Sequence, residues 1–155
     1  MEEMNSETIT ATDLEKGDYK MFIDGEEIGV WSSDDLQKGV NLAAETKTPQ
    51  YQQALSIMHL NELRWEIERN FRDYAWIQFN FFLEKGLLFA NNRASLDAVD
   101  EEAENNPWLK MQRENYARMM HQPYRETREA EMNTIISTIY EINQPVKRKI
   151  ALVKI

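Results

Sequence analysis

Two histidines are the first candidates for chemistry in this sequence of 155 residues. His59 precedes Glu62 by three residues, so both would share one helical face, where they could hold a common ligand. A di-metal site in a helix bundle needs a Glu-x-x-His motif on each of two helices, whereas here the order is reversed and no second copy exists. The pair is better interpreted as a partly exposed histidine beside a carboxylate. His121, just before Pro123 at a helix end, is interpreted as a partner of the helix dipole.

The carboxylates and hydroxyls form no catalytic constellation in the sequence. An acidic cluster lacks the glycine and the ligand spacing of a calcium loop, so a solvated helix face is favoured. The cluster contains Asp97, Asp100, Glu101, Glu102 and Glu104. No serine lies in a Gly-x-Ser-x-Gly turn, and the five glycines are too scattered for a phosphate-binding loop. The sequence therefore predicts no catalytic residue, no metal ligand, no cofactor-binding residue and no cofactor.

Five aromatic residues are the remaining candidates for function. They lie beside or just beyond the main apolar stripe of a long predicted helix: Trp65, Trp76, Phe79, Phe82 and Phe89. The favoured interpretation is a second core face, which means that the helix is covered on two sides. The alternative is an exposed apolar patch, and such patches mark interfaces. On that alternative these five residues form the candidate interface.

The helix that carries most of these aromatic residues is predicted from Pro49 to about Phe89. Thr48 suits the N-cap and Pro49 the first helical position, and no further proline or glycine occurs before Gly86. Apolar residues recur in steps of three and four, which keeps them on one face. They are Leu60, Leu63, Ile67, Phe71, Tyr74, Ile77 and Phe81. The opposite side is charged, so this stripe is expected to face the core.

The two ends of the chain predict a small sheet. Thr8–Leu14 is a possible strand, and strands at Tyr19–Ile23 and Ile28–Trp31 flank an Asp-Gly pair, the strongest short signal for a hairpin. Lys147–Ile155 is apolar on both faces and predicts a further strand. Because an isolated hairpin is marginally stable in water, we expect the C-terminal strand to pair with the N-terminal hairpin.

Shorter helices fill the rest of the chain. Ser32 and Asp35 resemble a capping box, which predicts a short helix that ends at Gly39. Further helices are predicted at 93–104, from 107 to about 120, and at 124–143. The second of these is expected to present Trp108, Met111, Tyr116 and Met119.

The predicted fold class is α+β. A small antiparallel sheet, made of the N-terminal hairpin and the C-terminal strand, is combined with a long antiparallel helical hairpin or arm. The chain is predicted to form one domain over 1–155, with the sheet from 8–31 and 147–155 and the arm from 48–143.

Composition narrows the classes of function. The chain is 42 % hydrophobic and carries a net charge of −9, which argues against nucleic acid because phosphate binding needs a basic face. No apolar run approaches the roughly 20 residues of a membrane span. The absence of cysteine excludes disulfides and thiol chemistry. The acidic N-terminal residues are not expected to be a signal peptide.

Four passages of the sequence together resemble a known family. Residues 19–32, 36–43, 48–55 and 139–145 are similar to the region that follows the catalytic domain in bacterial GDSL/SGNH-type esterases. The Gly-Asp-Ser block, the Gly and Asn oxyanion donors and the late Asp-x-x-His block of that family are missing here, and the Asp-Leu-Glu-Lys at Asp13 does not replace them.

The resemblance implies an accessory module of such a hydrolase, which is not an enzyme by itself. It would pack on or cap an SGNH-type catalytic domain, in cis or in trans, or mediate oligomerisation. It also implies an extracytoplasmic setting. The alternative is a stand-alone helical domain that binds a partner protein through the aromatic residues.

Overall fold

The computed structural model describes residues 6–155 and has an α+β fold, which confirms the predicted class. The chain divides into two compact units. Residues up to Met58 and Ile142–Ile155 form the first, here called the sheet unit; His59–Glu141 form the second, the helical unit. The prediction that the chain folds as a single domain stays a prediction.

The sheet unit is built on the predicted hairpin. Strand β2 (Asp18–Ile23) pairs antiparallel with β3 (Glu26–Ser32). Between them Asp24 and Gly25 have φ of 54° and 94°, and positive φ at both central positions defines the tight turn that matches strand twist. A bulge between Met21 and Phe22 shifts the register once.

The C-terminal strand completes the sheet, as predicted. Strand β5 (Ile150–Lys154) pairs antiparallel with β2 and gives the order β3-β2-β5. It begins three residues later than Lys147. At its entrance the Asp24 carboxylate accepts the Lys149 backbone N–H at 2.8 Å, so the hairpin turn itself holds the returning chain.

The prediction of a strand over Thr8–Leu14 is wrong in extent. Strand β1 covers only Thr8–Ile9 and pairs with the equally short β4 (Val40–Asn41) in a separate two-stranded sheet. Asp13 has φ of 60°, a left-handed conformation that extended strand geometry excludes.

The short helix α1 (Ser33–Lys38) begins as predicted. The Ser32 hydroxyl accepts the Asp35 backbone N–H at 3.1 Å. Helix α1 packs its Leu36 into the core of the sheet unit, where the fully buried side chains are aliphatic or Met: Met21, Ile23, Leu36 and Leu42.

The long helix begins as predicted but ends earlier. The Thr48 hydroxyl accepts the Tyr51 N–H at 3.2 Å at the start of α2 (Pro49–Ile77). A π-helix (Gln78–Phe82) continues it, for 34 helical residues in all. The predicted end at Phe89 is wrong because the Lys85 and Leu87 N–H groups both donate to the Phe82 carbonyl, which closes the helix with a turn.

Two capped helices follow in the helical unit. Helix α3 (Arg93–Ala103) starts with a capping box between Asn92 and Ser95, and α4 (Pro107–Met119) starts at Asn106, whose side chain accepts two backbone N–H groups. They enclose a core with α2 that is rich in aromatic rings: Tyr74, Ile77, Phe82, Val99, Leu109, Tyr116 and Met119. Met111, predicted on the inward face, is 68 % exposed, and Leu109 is buried instead.

Helix α5 (Gln122–Ile142) lies along α2 within the helical unit. The Arg125 guanidinium lies 5.2 Å from the Tyr74 ring centre, and Ile136 and Ile139 share a shallow groove with Arg64. The two helices therefore run antiparallel there, as predicted. No residue of α5 is fully buried.

Candidate interaction surface

The histidines and serines do not meet in a catalytic arrangement. The His59 Nδ1 lies 3.1 Å from the Glu62 carboxylate on the exposed side of α2, and His121 is exposed. The serines from Ser32 onward serve the backbone: Ser32 and Ser95 cap helices, and Ser56 and Ser137 donate to carbonyls one turn back. No serine–histidine hydrogen bond occurs within residues 6–155.

Three members of the acidic cluster are paired with bases, including Glu102 with Lys85 at 3.7 Å. The Arg113 guanidinium holds Asp100 with two hydrogen bonds of 2.6 and 3.2 Å, and this hydrogen bonding keeps the pKa of the Asp100 carboxyl below its ordinary value. Asp97 pairs with Arg93 at 2.7 Å. Across the described part of the chain, no three His, Cys, Asp or Glu side chains are grouped so that they could hold a metal ion.

An open groove of about 560 Å³ lies between α2 and α4 in the helical unit. Arg69 and Asp73 line it from α2, and Trp108 and Arg118 from α4. The Tyr124 hydroxyl raises the pKa of Arg118, which also pairs with Glu114. The residues that line this groove include no Ser, Thr or His, and the groove offers mainly polar and charged contacts.

Four of the five candidate aromatic residues are on the surface. The exposed fractions are 57 % for Trp65, 57 % for Trp76, 53 % for Phe79 and 51 % for Phe89. Phe82 is fully buried against Tyr116, with ring centres 5.2 Å apart. The interpretation as a second core face is therefore right for Phe82 and wrong for the other four. Their role as an interface stays a prediction.

The exposed residues follow one side of α2. From Trp65 the steps of four, three and four lead through Arg69 and Arg72 to Trp76, which keeps them on one helical face. Phe79, in the π-helix, and Leu83, just after it, are exposed beyond the end of this row. Leu83 is 55 % exposed. The row is opposite to the buried stripe of Ile67, Tyr74 and Ile77. Sequence analysis assigned that side to charged residues and placed the aromatic residues beside the main stripe, with an exposed patch as the alternative to a second core face.

Ring contacts join these exposed residues to two other segments. Trp76 packs against Trp108 of α4 at 5.4 Å between ring centres, and Phe79 meets Phe89 edge-on at 5.6 Å. We call Trp76, Phe79, Leu83 and Phe89 the aromatic face. Exposed aromatic and arginine side chains are the residue types that dominate protein–protein hot spots.

A buried polar network lies beneath the aromatic face. Gln78, in the π-helix, is fully buried; its Oε1 accepts the Phe89 N–H at 2.7 Å, and its Nε2 donates to Asn91 Oδ1 at 3.4 Å. The Asn91 amide in turn donates to the Tyr74 hydroxyl at 2.9 Å. Sequence analysis missed this network, although an isolated Gln in an apolar run could have indicated it.

A second buried contact lies close by. The Tyr116 hydroxyl donates to Ser95 Oγ at 2.8 Å, and burial raises the pKa of Tyr116.

Among residues 6–155 no helix is both long and apolar enough to cross a membrane.

The arrangement defines a helical module with an aromatic surface, and comparison with known families identifies it. Residues 55–144 match the diltiazem deacetylase C-terminal helical domain, and the chain belongs to that family. A solved structure of a gut microbial diltiazem-metabolizing enzyme is 60 % identical, with a TM-score of 0.89 over 97 % of this chain. The match covers 34 % of that enzyme, so this chain spans about a third of its length. No curated protein sequence matches the chain.

The predicted family was wrong. The family match and the 60 % identical structure place the chain with the diltiazem deacetylase C-terminal domain, not with a general accessory region of GDSL/SGNH-type esterases. Three of the four passages that carried the resemblance, residues 19–32, 36–43 and 48–55, lie at or before the start of the matched region. The hairpin and cap signals in them report on the fold of the sheet unit, which many families can share.

Proposed function

We propose that this chain is the accessory C-terminal domain of a deacetylase-type enzyme, which acts together with a catalytic domain in the same polypeptide and does no chemistry itself. The observation that carries the proposal is its membership of a C-terminal domain family, together with a relative in which it corresponds to only about a third of the enzyme. The side-chain contacts agree with this role, since no described serine is hydrogen-bonded to a histidine.

The aromatic face, extended by Trp65, is the proposed contact surface of the domain. Four large aromatic side chains of this surface are more than half exposed, and exposed apolar patches mark interaction sites. Covering them would remove apolar area from water, which is the main favourable term in protein association. A catalytic domain in cis is the proposed partner.

The test compares four proteins: the diltiazem-metabolizing relative, the same enzyme without its matched third, a chimera in which this chain replaces that third, and the isolated chain. We expect the chimera to convert diltiazem and the shortened enzyme to melt at a lower temperature. The isolated chain should not hydrolyse 4-nitrophenyl acetate or diltiazem. A shortened enzyme as stable and active as the relative would contradict the accessory role. Turnover by the isolated chain that one serine-to-alanine substitution abolishes would contradict the non-catalytic assignment.

A stand-alone interaction domain is the second candidate, and the exposed aromatic face favours it. The two candidates differ in what covers the face. In the chimera the amide groups around Trp76 and Phe79 should exchange more slowly than in the isolated chain if the catalytic domain covers them. Equal exchange in both proteins would favour a separate partner.

A further inference from the structure

Phe89 combines a strained backbone with an exposed side chain. Its φ of 54° is left-handed, a conformation that is unfavourable for a residue with a Cβ. Its ring is 51 % exposed and touches the equally exposed Phe79 edge-on. Burial of the ring therefore does not explain why the chain adopts this conformation. Backbone strain that the folded protein maintains is concentrated at functional sites.

Gln78 is the residue that holds Phe89 in place. Its side chain is fully buried, and the 2.7 Å hydrogen bond from the Phe89 N–H to its Oε1 satisfies a backbone donor that the left-handed turn leaves unpaired. The Gln78 amide continues to Asn91, whose φ of 45° is also left-handed. A buried amide without these bonds would be costly, so the network determines one position for the loop.

The π-helix directs Gln78 inward and Phe79 outward. Gln78 is its first residue and Phe82, fully buried, its last, while Phe79 between them is 53 % exposed. π-Helical segments are rare, and those that occur are frequently found at functional sites. Three irregular features, the π-helix and the left-handed Phe89 and Asn91, thus converge on one pair of exposed rings.

We infer that Gln78 is a positioning residue that preorganises Phe79 and Phe89 for docking onto the catalytic part of the same enzyme. The inference rests on the proposed function and adds the residue that positions the two rings at the contact. Fixing the two rings before contact removes the conformational entropy that docking would otherwise cost.

The charges beside the aromatic face define the chemistry of the surface that it fits. Arg69 and Arg72 lie in the same helical row, and within residues 6–155 neither has a carboxylate within ion-pair distance; the Arg72 guanidinium lies only over the Trp65 ring, at 5.4 Å. A complementary surface is therefore apolar at its centre and carries charges of both signs at one edge, because Glu62 and Glu66 line the same surface as Trp65 and the two arginines. The two thirds of the relative that lie outside the match are the proposed source of that surface.

The test measures hydrogen exchange of residues 76–92 in the isolated chain and in the chimeric enzyme described above. Docking should slow exchange in the chimera. Phe89→Ala should reduce the added protection factor about tenfold or more, as expected for an aromatic hot spot. It should leave the melting temperature of the isolated chain unchanged. Gln78→Met should remove a similar share, and the double variant should lose no more than either single one. Gln78→Glu keeps the acceptor for the Phe89 N–H and should therefore retain part of the added protection.

Gln122→Met is the matched control, because Gln122 is exposed and bonds only to Glu126 of its own helix. It should leave the protection intact. If the unsubstituted chimera shows no added protection, the proposed docking itself is wrong. If it is protected and Gln78→Met or Phe89→Ala leaves that protection unchanged, the positioning role is wrong while the accessory function stands. Additive losses in the double variant would also contradict the inference, since Gln78 would then not act through Phe89.

Discussion

The sheet unit and the helical unit bury different kinds of side chain. In the sheet unit the fully buried hydrophobic residues are aliphatic or Met, and its buried polar residues, Ser33 and Thr48, lie at helix starts. The helical unit buries Gln78 and Ser95 among its core rings and leaves Trp76 and Phe79 outside. The core of the sheet unit is therefore an ordinary, largely aliphatic core, in which the buried polar residues lie only at helix starts. The helical unit leaves several of its largest aromatic residues exposed, and the proposed contact surface lies there.

The largest effect should come from removing Lys147–Ile155. Strand β5 pairs with β2 along five residues, and without it the three-stranded sheet is reduced to a two-stranded hairpin. We expect the sheet unit to unfold and the helical unit to keep its helices. Fluorine-labelled tryptophan resolves the two by NMR, because Trp31 belongs to the sheet unit and Trp65, Trp76 and Trp108 to the helical unit.

The same truncation tests the single-domain prediction. If all four tryptophan signals shift to unfolded positions together, the two units form one cooperative domain. The two units would then differ in which side chains they bury and not in how they unfold. If Trp31 alone changes, the units are independent.

The next largest effect contrasts two phenylalanines three positions apart. Phe82→Ala removes a fully buried ring and should lower the free energy of unfolding by about 3–5 kcal/mol. Phe79→Ala, at an exposed position, should change it by less than about 1 kcal/mol. Urea denaturation of both variants measures the difference. Equal losses would mean that the exposed ring contributes to the core, which contradicts the surface role of Phe79.

A smaller effect compares two glycines of the sheet unit with similar left-handed φ. At Gly39, φ is 103° and a Cβ would lie 2.8 Å from the Thr8 side chain; at Gly25, φ is 94° and nothing lies within 4 Å. Gly25→Ala should cost about 1 kcal/mol of backbone strain. Gly39→Ala adds the steric clash and should cost at least about 1 kcal/mol more. Thermal melts of both variants give the difference, and equal costs would show that strand β1 yields without penalty.

The smallest effect is a pH dependence that belongs to the sheet unit. Hydrogen bonds from the Lys149 N–H and then from Arg148 hold the pKa of the Asp24 carboxyl below its ordinary value of 3.8. Because the folded pKa is depressed, this stabilisation is present above about pH 4 and is lost as the pH falls through the folded pKa. The Trp31 signal should therefore report acid destabilisation in that range.

Asp24→Asn is the matched variant for this prediction. Asn tolerates the φ of 54° and keeps an oxygen that can accept the Lys149 N–H, but it has no charge to titrate. Its sheet unit should lose less stability on acidification. An unchanged acid profile would show that other carboxylates, such as Glu15 beside Lys154, carry the effect.

The elements that the sequence alone predicted correctly are those with local causes. The Asp24-Gly25 turn, the Ser32 and Thr48 caps and the Pro49 start each depend on residues within a few positions, and all occur as expected. The pairing of the C-terminal strand was also predictable, because a hairpin needs a third strand. These signals establish the α+β fold and say little about family, which explains why the resemblance to GDSL/SGNH-type esterases was misleading.

Only the tertiary structure determines which of the aromatic residues are buried and which are exposed. Helical spacing identifies which residues share a face, and it does not show whether another element covers that face. Helix α4 and the turn after Phe82 cover Phe82 and leave Trp76 and Phe79 open. The π-helix and the Gln78 network have the same origin, since a widened turn and a left-handed Phe89 depend on contacts between Gln78, Asn91 and Tyr74 that only the folded chain brings together.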